Sequence, residues 1–409
     1  MHKIPAFLLL PLLVLGHGDL LAQQPNEISD TFTVLDHTKL LKVKEGIAKG
    51  SDKYMAAYRK LLAEAEKSLD ATPTSVVQKS TVAPSGDKHD YLSLAPYWWP
   101  DPDKEDGLPW IRKDGEVNPM TRGDNVDTDS KNQLFHHVKT LSLAYFFSDD
   151  DAYAQKTEEW LRVWFVDKET RMNPHLDYAQ GIPGRNTGRG FGIIDFYGIL
   201  HIVTALEILE LENALTPDLA LEMNTWLSNY LNWLQTSEFG LFEKSRKNNH
   251  GTVYDVQVVA LLLYLDRTEE ATNILKSVAK NRIEPHLAAD GSQPHEIART
   301  KGLTYSVLNL SGLTRLAFLG RKKGVHVELW DLDSEKGNLK KAHQYLSQFL
   351  DGKSTWPYQQ IGDWEKALER LQGLFATTGS ILDVPDYCQT GQNAKTKDKL
   401  EQLVYPCFY

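Results

Sequence analysis

Apolar residues recur at three- and four-residue intervals along nearly the whole of this chain, and convincing two-residue alternation is absent. A period near 3.6 buries one stripe of a helix, whereas a half-buried strand needs strict alternation. Segments 51–69, 132–147, 150–165, 192–211, 218–234, 252–265, 269–278, 303–319, 340–350 and 359–375 therefore read as helices. Ile199, Ile202, Val203, Leu206 and Leu209 show the spacing plainly. No Asn-Gly or Asp-Gly pair lies between strand-like runs, so hairpins of strands are not expected. The expected class is all-α. Helix pairs in such number suggest an (α/α) toroid, an incomplete barrel of inner and outer helices with about six to seven hairpins. No linker, low-complexity tract or repeat divides the chain, and a single domain over 23–409 is expected.

Three stretches rich in Pro, Gly and aromatics interrupt the helices, at 84–128, 171–191 and 284–302. Loops of a toroid gather at one end and wall a cleft. Residues 1–22 have the pattern of an export signal: Lys3, the apolar run Ile4 to Leu15, then Leu20-Leu21-Ala22 as a cleavage site. That run is short for a bilayer span, and no later run is expected to cross one. The mature protein is expected in a periplasm or outside the cell, without membrane insertion. A net charge of −10 excludes a nucleic-acid footprint. It also requires that any polyanionic ligand be held by a locally basic cleft. Cys388 and Cys407 can form a disulfide in an oxidising compartment.

Two polar segments carry the chemistry: Asn248-Asn249-His250-Gly251, and Arg299-Thr300-Lys301-Gly302-Leu303-Thr304-Tyr305. An amide, an imidazole, a guanidinium and a phenol are the groups that proton abstraction beside a sugar carboxylate requires. The carboxylate must be neutralised, a base must take the C5 proton, and an acid must protonate the departing O4. Asn249 and His250 precede an apolar helix whose N-terminus favours anions. The bland reading of the pair is a helix cap with a polar neighbour. A free tyrosine titrates near pH 10, so Tyr305 needs a nearby cation to act as a base, and Arg299 is the candidate. The bland alternative is a buried Tyr with a surface Arg.

These segments, with Glu296-Ile297-Ala298-Arg299, Pro96-Tyr97-Trp98-Trp99-Pro100-Asp101-Pro102, Asp114-Gly115-Glu116-Val117-Asn118-Pro119 and Gly190-Phe191-Gly192-Ile193-Ile194-Asp195, resemble the signatures of the alginate-lyase superfamily. The likeness runs from about Tyr91 to Asn309. The six-residue step from Arg299 to Tyr305 is more similar to polysaccharide lyase family 38 than to family 5. The resemblance implies a toroid of helical hairpins, Asn249, His250 and Arg299 around the carboxylate, and Tyr305 as proton shuttle. It implies an anionic β-1,4-uronan as substrate, polymannuronate (alginate) or glucuronan. In those sugars the C5 proton and O4 share a face, so one tyrosine can serve as base and then acid; guluronate would need His250 as base.

The cleft walls are expected to include Tyr97, Trp98, Trp99 and Trp110 stacking on sugar faces, with Arg112, Arg185 and Arg189 pairing with carboxylates. Asn173, Tyr178 and Gln180 belong to the second loop, and His295 with Glu296 can orient Arg299. Each can equally be loop packing or surface polarity. His136 and His137 are adjacent on a helix and cannot share a face. His175 and Asp177 do not make a metal site, zinc spacings are missing, and neither a P-loop nor a nucleophile elbow is present, so no metal or cofactor is expected. Two other readings stay open: a glycoside hydrolase on a similar toroid using carboxylates such as Asp195, Asp255 or Glu296, and a non-catalytic glycan-binding protein.

Overall fold

The computed structural model describes residues 32–322, 324–388 and 400–408. The proposed signal segment lies outside them. Four helices are buried over most of their length: α3 (Thr128–Ser148), α5 (Ile199–Leu211), α8 (Asn249–Tyr264) and α12 (Gly302–Gly320). They pack in sequence, α3 on α5, α5 on α8 and α8 on α12, and α12 then meets α14 (Trp364–Ile381). The remaining long helices bury one stripe each. They are α1 (His37–Ala48), α2 (Asp52–Asp70), α4 (Asp151–Leu161), α6 (Pro217–Thr236), α9 (Thr268–Val278) and α13 (Leu339–Ser347). Three short helices, α7 (Glu238–Lys244), α10 (Glu284–His286) and α11 (Pro294–Ile297), lie in the connections. The outer members pack on their inner partners, α4 on α3, α9 on α8 and α13 on α12. This alternation is the (α/α) toroid.

Most helix boundaries match the periodicity to within a few residues. The start at 359 does not. Asp363 caps α14 by accepting from the Lys366 backbone N–H, and the five residues before Trp364 run as an irregular segment against Thr300 and Gly302. α1 carries Leu40, Val43 and Ile47 on one buried stripe, yet the sequence reading omits it. Gly190–Leu211 has the length and hydropathy of a membrane-crossing helix, contrary to expectation for any run beyond the leader. It is 72% buried inside the protein, as a core helix is. Gly198 stands between the 3-10 turn Gly190–Phe196 and α5, where a Cβ would come 2.2 Å from the Phe135 ring.

The first two interruptions contain the strands. β1 (Leu92–Leu94) pairs in parallel with β4 (Tyr178–Gly181), and β2 (Trp98–Trp99) pairs antiparallel with β3 (Ile111–Arg112). These strands are too short for alternation to register. Their pairing joins loops 84–128 and 171–191 into one wall over the ends of the inner helices.

Cys388 and Cys407 are joined, 19 residues apart, and hold the chain end against α1 and α2 together with the short helix Glu401–Val404. A cross-link of that span stabilises mainly by restricting the unfolded chain, by about 3 kcal/mol. Cys388→Ser is expected to lower unfolding stability by about that amount in denaturant titrations, with the reductant-treated wild type matching it.

Candidate active site

Tyr305 lies in the first turn of α12 and is buried. Its Oη donates to Tyr97 Oη at 2.9 Å and accepts from Arg299 Nη2 at 3.3 Å. The Arg299 guanidinium also lies over the Tyr305 ring, 4.3 Å from its centre. Arg299 is engaged from the other side as well: Nε and Nη2 reach the two Asp114 carboxylate oxygens at 3.0 and 2.7 Å. Asp114 accepts from Arg112 Nη2 at 2.6 Å and from the Thr300 hydroxyl, and its carboxyl is held far below the usual range by these donors despite partial burial. The backbone turn here depends on Gly115 at φ +79°, where a Cβ would stand 2.5 Å from Thr300 Oγ1.

The phenol is not lowered by its cation. Burial pushes the Tyr305 hydroxyl well above 10, and the Tyr97 hydroxyl adds to the effect; the opposing pull of Arg299 is smaller. Asp114 adds a smaller rise, because it pairs with Arg299 and repels a phenolate. The sequence places the cation correctly but omits its counter-charge.

His250 and Asn249 form the first turn of α8, three residues earlier than the periodicity suggests, because Asn248 takes the cap position. Neither simply caps the helix. His250 Nδ1 is 2.5 Å from Glu243 Oε1, a carboxylate fully buried in α7, and its ring meets Phe191 edge-on. With Nδ1 facing Glu243, Nε2 is the nitrogen left for the cleft. The Asn249 backbone N–H and Nδ2 donate to the two Glu296 oxygens at 2.6 and 2.7 Å. Burial raises the Glu296 carboxyl, and these two N–H groups oppose the rise. Asn249 Oδ1 is buried without a partner.

The expected wall residues divide. Trp98 stacks under the Arg185 guanidinium at 4.9 Å, and Arg185 Nε donates to the Trp110 carbonyl. Trp98 also sits opposite Arg112 in the β2–β3 register. Arg189 donates to the Gln180 carbonyl and to Gln180 Oε1, while Gln180 Nε2 reaches Asp195. Arg189 lies over Phe191, the ring that touches His250. These residues form one connected surface with His250, Arg299 and Tyr305. Trp99 instead bonds to the Glu116 carbonyl beneath Lys113. Asn173 donates to Asp87 and Asp90, in a cluster around His175, and Tyr178 lies beside His175. His295 is exposed, and Glu296 serves Asn249 rather than an ion pair with Arg299.

The carboxylates that a hydrolase would need are committed elsewhere. Asp255 is buried in a two-pronged pair with Arg282, and Asp195 accepts from Tyr91, Ser93 and Gln180. Among the described residues no group of three His, Cys, Asp or Glu side chains could hold a metal ion.

A phenol, a guanidinium and a carboxylate-backed imidazole stand together on an (α/α) toroid, and the family the chain matches makes it a polysaccharide lyase. Over residues 75–356 the chain matches the alginate lyase family, to which it belongs. An alginate lyase from Bacteroides ovatus superposes with a TM-score of 0.87 at 38% identity, over 92% of this chain and 99% of that one. Alginate lyase A1-III from Sphingomonas species A1 superposes with a TM-score of 0.57 over 93% of this chain and 97% of its own, and its 13% identity speaks to the fold alone. Comparison with functionally curated proteins gave no match.

Asp114 and Glu243 are functional candidates that the sequence reading passed over. Asp114 stands inside a quoted motif, but nothing local announces a partner 185 residues away. Asp114→Asn should cut kcat about tenfold by loosening Arg299. It should also move the alkaline limb of the pH–rate profile to lower pH, since a charge that raises the Tyr305 phenol is removed. An unchanged limb would dissociate Asp114 from the phenol.

Proposed function

We propose that the protein cleaves alginate or a related β-1,4-uronan such as glucuronan by syn β-elimination, leaving 4,5-unsaturated uronate ends, with Tyr305 as base and then acid. The observation that carries this reading is the Tyr305 hydroxyl held between Arg299 and Tyr97 at 3.3 and 2.9 Å. A phenol raised by burial is a strong base once ionised and a ready proton source afterwards. Arg299 supplies permanent positive charge at the oxygen where negative charge develops. Tyr97 accepts the hydrogen bond in the resting state and can pass a proton outwards.

The substrate carboxylate would face His250 Nε2, the ring nitrogen left free while Nδ1 is held by buried Glu243. Glu296 takes the Asn249 backbone N–H and one Nδ2 N–H, which leaves the second Nδ2 N–H for a substrate. An amide N–H suits a carboxylate, and neutralising that charge makes C5–H acidic. Arg189 and Arg185 would meet carboxylates of neighbouring sugars, and Trp98 and Tyr97 would stack on ring faces. Export, to a periplasm or beyond, is part of the reading; the Cys388–Cys407 bond supports an oxidising compartment.

Tyr305→Phe is expected to lower the rate at which ultraviolet-absorbing unsaturated ends form by at least about 10³-fold, because one group serves both proton transfers. Binding of polymannuronate should remain measurable. Near-normal turnover by this variant on polymannuronate, polyguluronate or glucuronan would remove Tyr305 from the chemistry.

His250→Gln should depress kcat more than binding, and Glu243→Gln should reproduce a part of that loss, roughly tenfold, by leaving the imidazole without its charge partner. If Glu243→Gln leaves the pH–rate profile and kcat of the wild type intact, the dyad has no part in neutralising the substrate.

A further inference from the structure

The Tyr305 hydroxyl is not at the bottom of the cleft. One face of α12, formed by Thr304, Leu308, Ser311 and Arg315, continues past it into the toroid. It faces a stripe of α14 formed by Lys366, Arg370, Gly373 and Thr377. Both rows follow the three- and four-residue step of a single helix face. Between them lies a groove of about 740 Å³ that begins at Tyr97 and Tyr305. Ten residues separate Tyr305 from Arg315, so the groove runs for about 15 Å along α12 at 1.5 Å per residue.

Three features give this groove a chemistry. Lys366 and Arg370 are exposed on its wall one helical turn apart, and neither makes an ion pair among the described residues, although the chain carries a net charge of −10. Glu369 lies on the same wall, and Glu401 lies at the inner end. The floor is kept open at Gly373, where a Cβ would come within 3.2 Å of the Glu401 carboxylate. The inner end is shut: Arg315 donates to Tyr405 Oη at 2.7 Å, and Tyr405 follows the short helix Glu401–Val404, which the disulfide secures.

We infer that this groove is an additional subsite for the anionic substrate, with Lys366 and Arg370 pairing with carboxylates of uronate residues beyond the one at Tyr305. Its closed end limits how many such residues fit. The inference rests on the uronan reading of the active site. It assigns to α14 a specificity role that neither the catalytic motifs nor the loop walls contain.

The test is a chain-length series of mannuronate oligomers, from disaccharide to octasaccharide, titrated calorimetrically into Tyr305→Phe so that nothing is cleaved. Affinity should rise with length and then level off once the groove is filled. Lys366→Ala and Arg370→Ala on that background should each weaken the longer oligomers roughly tenfold, as loss of a charge-assisted contact does. The loss should fade towards the disaccharide, and Lys366→Arg should restore most of the affinity. A loss equal at every length, or no loss at any length, overturns the subsite. The two readings fail separately: wild-type enzyme that forms no unsaturated ends while the length pattern holds refutes the chemistry and leaves the groove. Unsaturated product without the length pattern refutes the groove alone.

Discussion

One guanidinium organises this molecule's working end. Arg299 is more than half buried, and a charge in that position needs a partner with good geometry. Asp114 supplies it from a loop 185 residues distant, with both carboxylate oxygens engaged. The same contact ties the first long loop to the start of α12, since Thr300 donates its hydroxyl to the Asp114 carbonyl and Gly115 closes tightly over it. Tyr305 therefore receives a cation whose charge is already half spent. In the proposed mechanism the resting phenol is protonated, and a bound anion would act on it through the Arg299–Asp114 pair.

The second half of the site is built on carboxylates that never meet solvent. Glu243 and Glu296 are buried at the positions where a first-turn His and Asn of α8 need orienting. Burying a carboxylate is costly unless strong donors compensate it. Here the imidazole compensates one, and the amide and backbone N–H groups of Asn249 the other. The outcome is an imidazole and an amide held in fixed positions, the condition under which dipoles act best on a developing charge. The unpartnered Oδ1 of Asn249 and Oε2 of Glu243 are the residual cost of that arrangement.

The fold was legible in the chain because inner helices such as α8 and α12 are long, and a 3.6-residue period is hard to mimic. What escaped were features with no period. The strands are two to four residues long, and the irregular segment before α14 is shaped by bonding to Thr300 rather than by its own propensity. The site divided in the same way. Asn249, His250, Arg299 and Tyr305 could be read because each stands in a compact motif beside an apolar helix. Glu243 and Asp114 could not, since a lone acid in a short helix or a loop looks like any solvated charge until the tertiary fold buries it. The same limit applied to Tyr305, whose raised proton affinity is set by burial and by Tyr97, far away in sequence.

The parallel pairing of β1 with β4 has a mechanical consequence. Leu92 and Leu94 are in register with Tyr178 and Gly181, Trp110 N–H donates to the Pro183 carbonyl, and Arg185 reaches the Trp110 carbonyl. Stitched at so many points, the two long loops form a single jaw rather than two fingers. The opposite jaw is the α12–α14 side, and Asp114–Arg299 is the latch between them. In the proposed reaction, moving the first jaw aside for a polymer strand would draw the counter-ion off Arg299, so substrate entry and the charge beside Tyr305 are coupled through one contact.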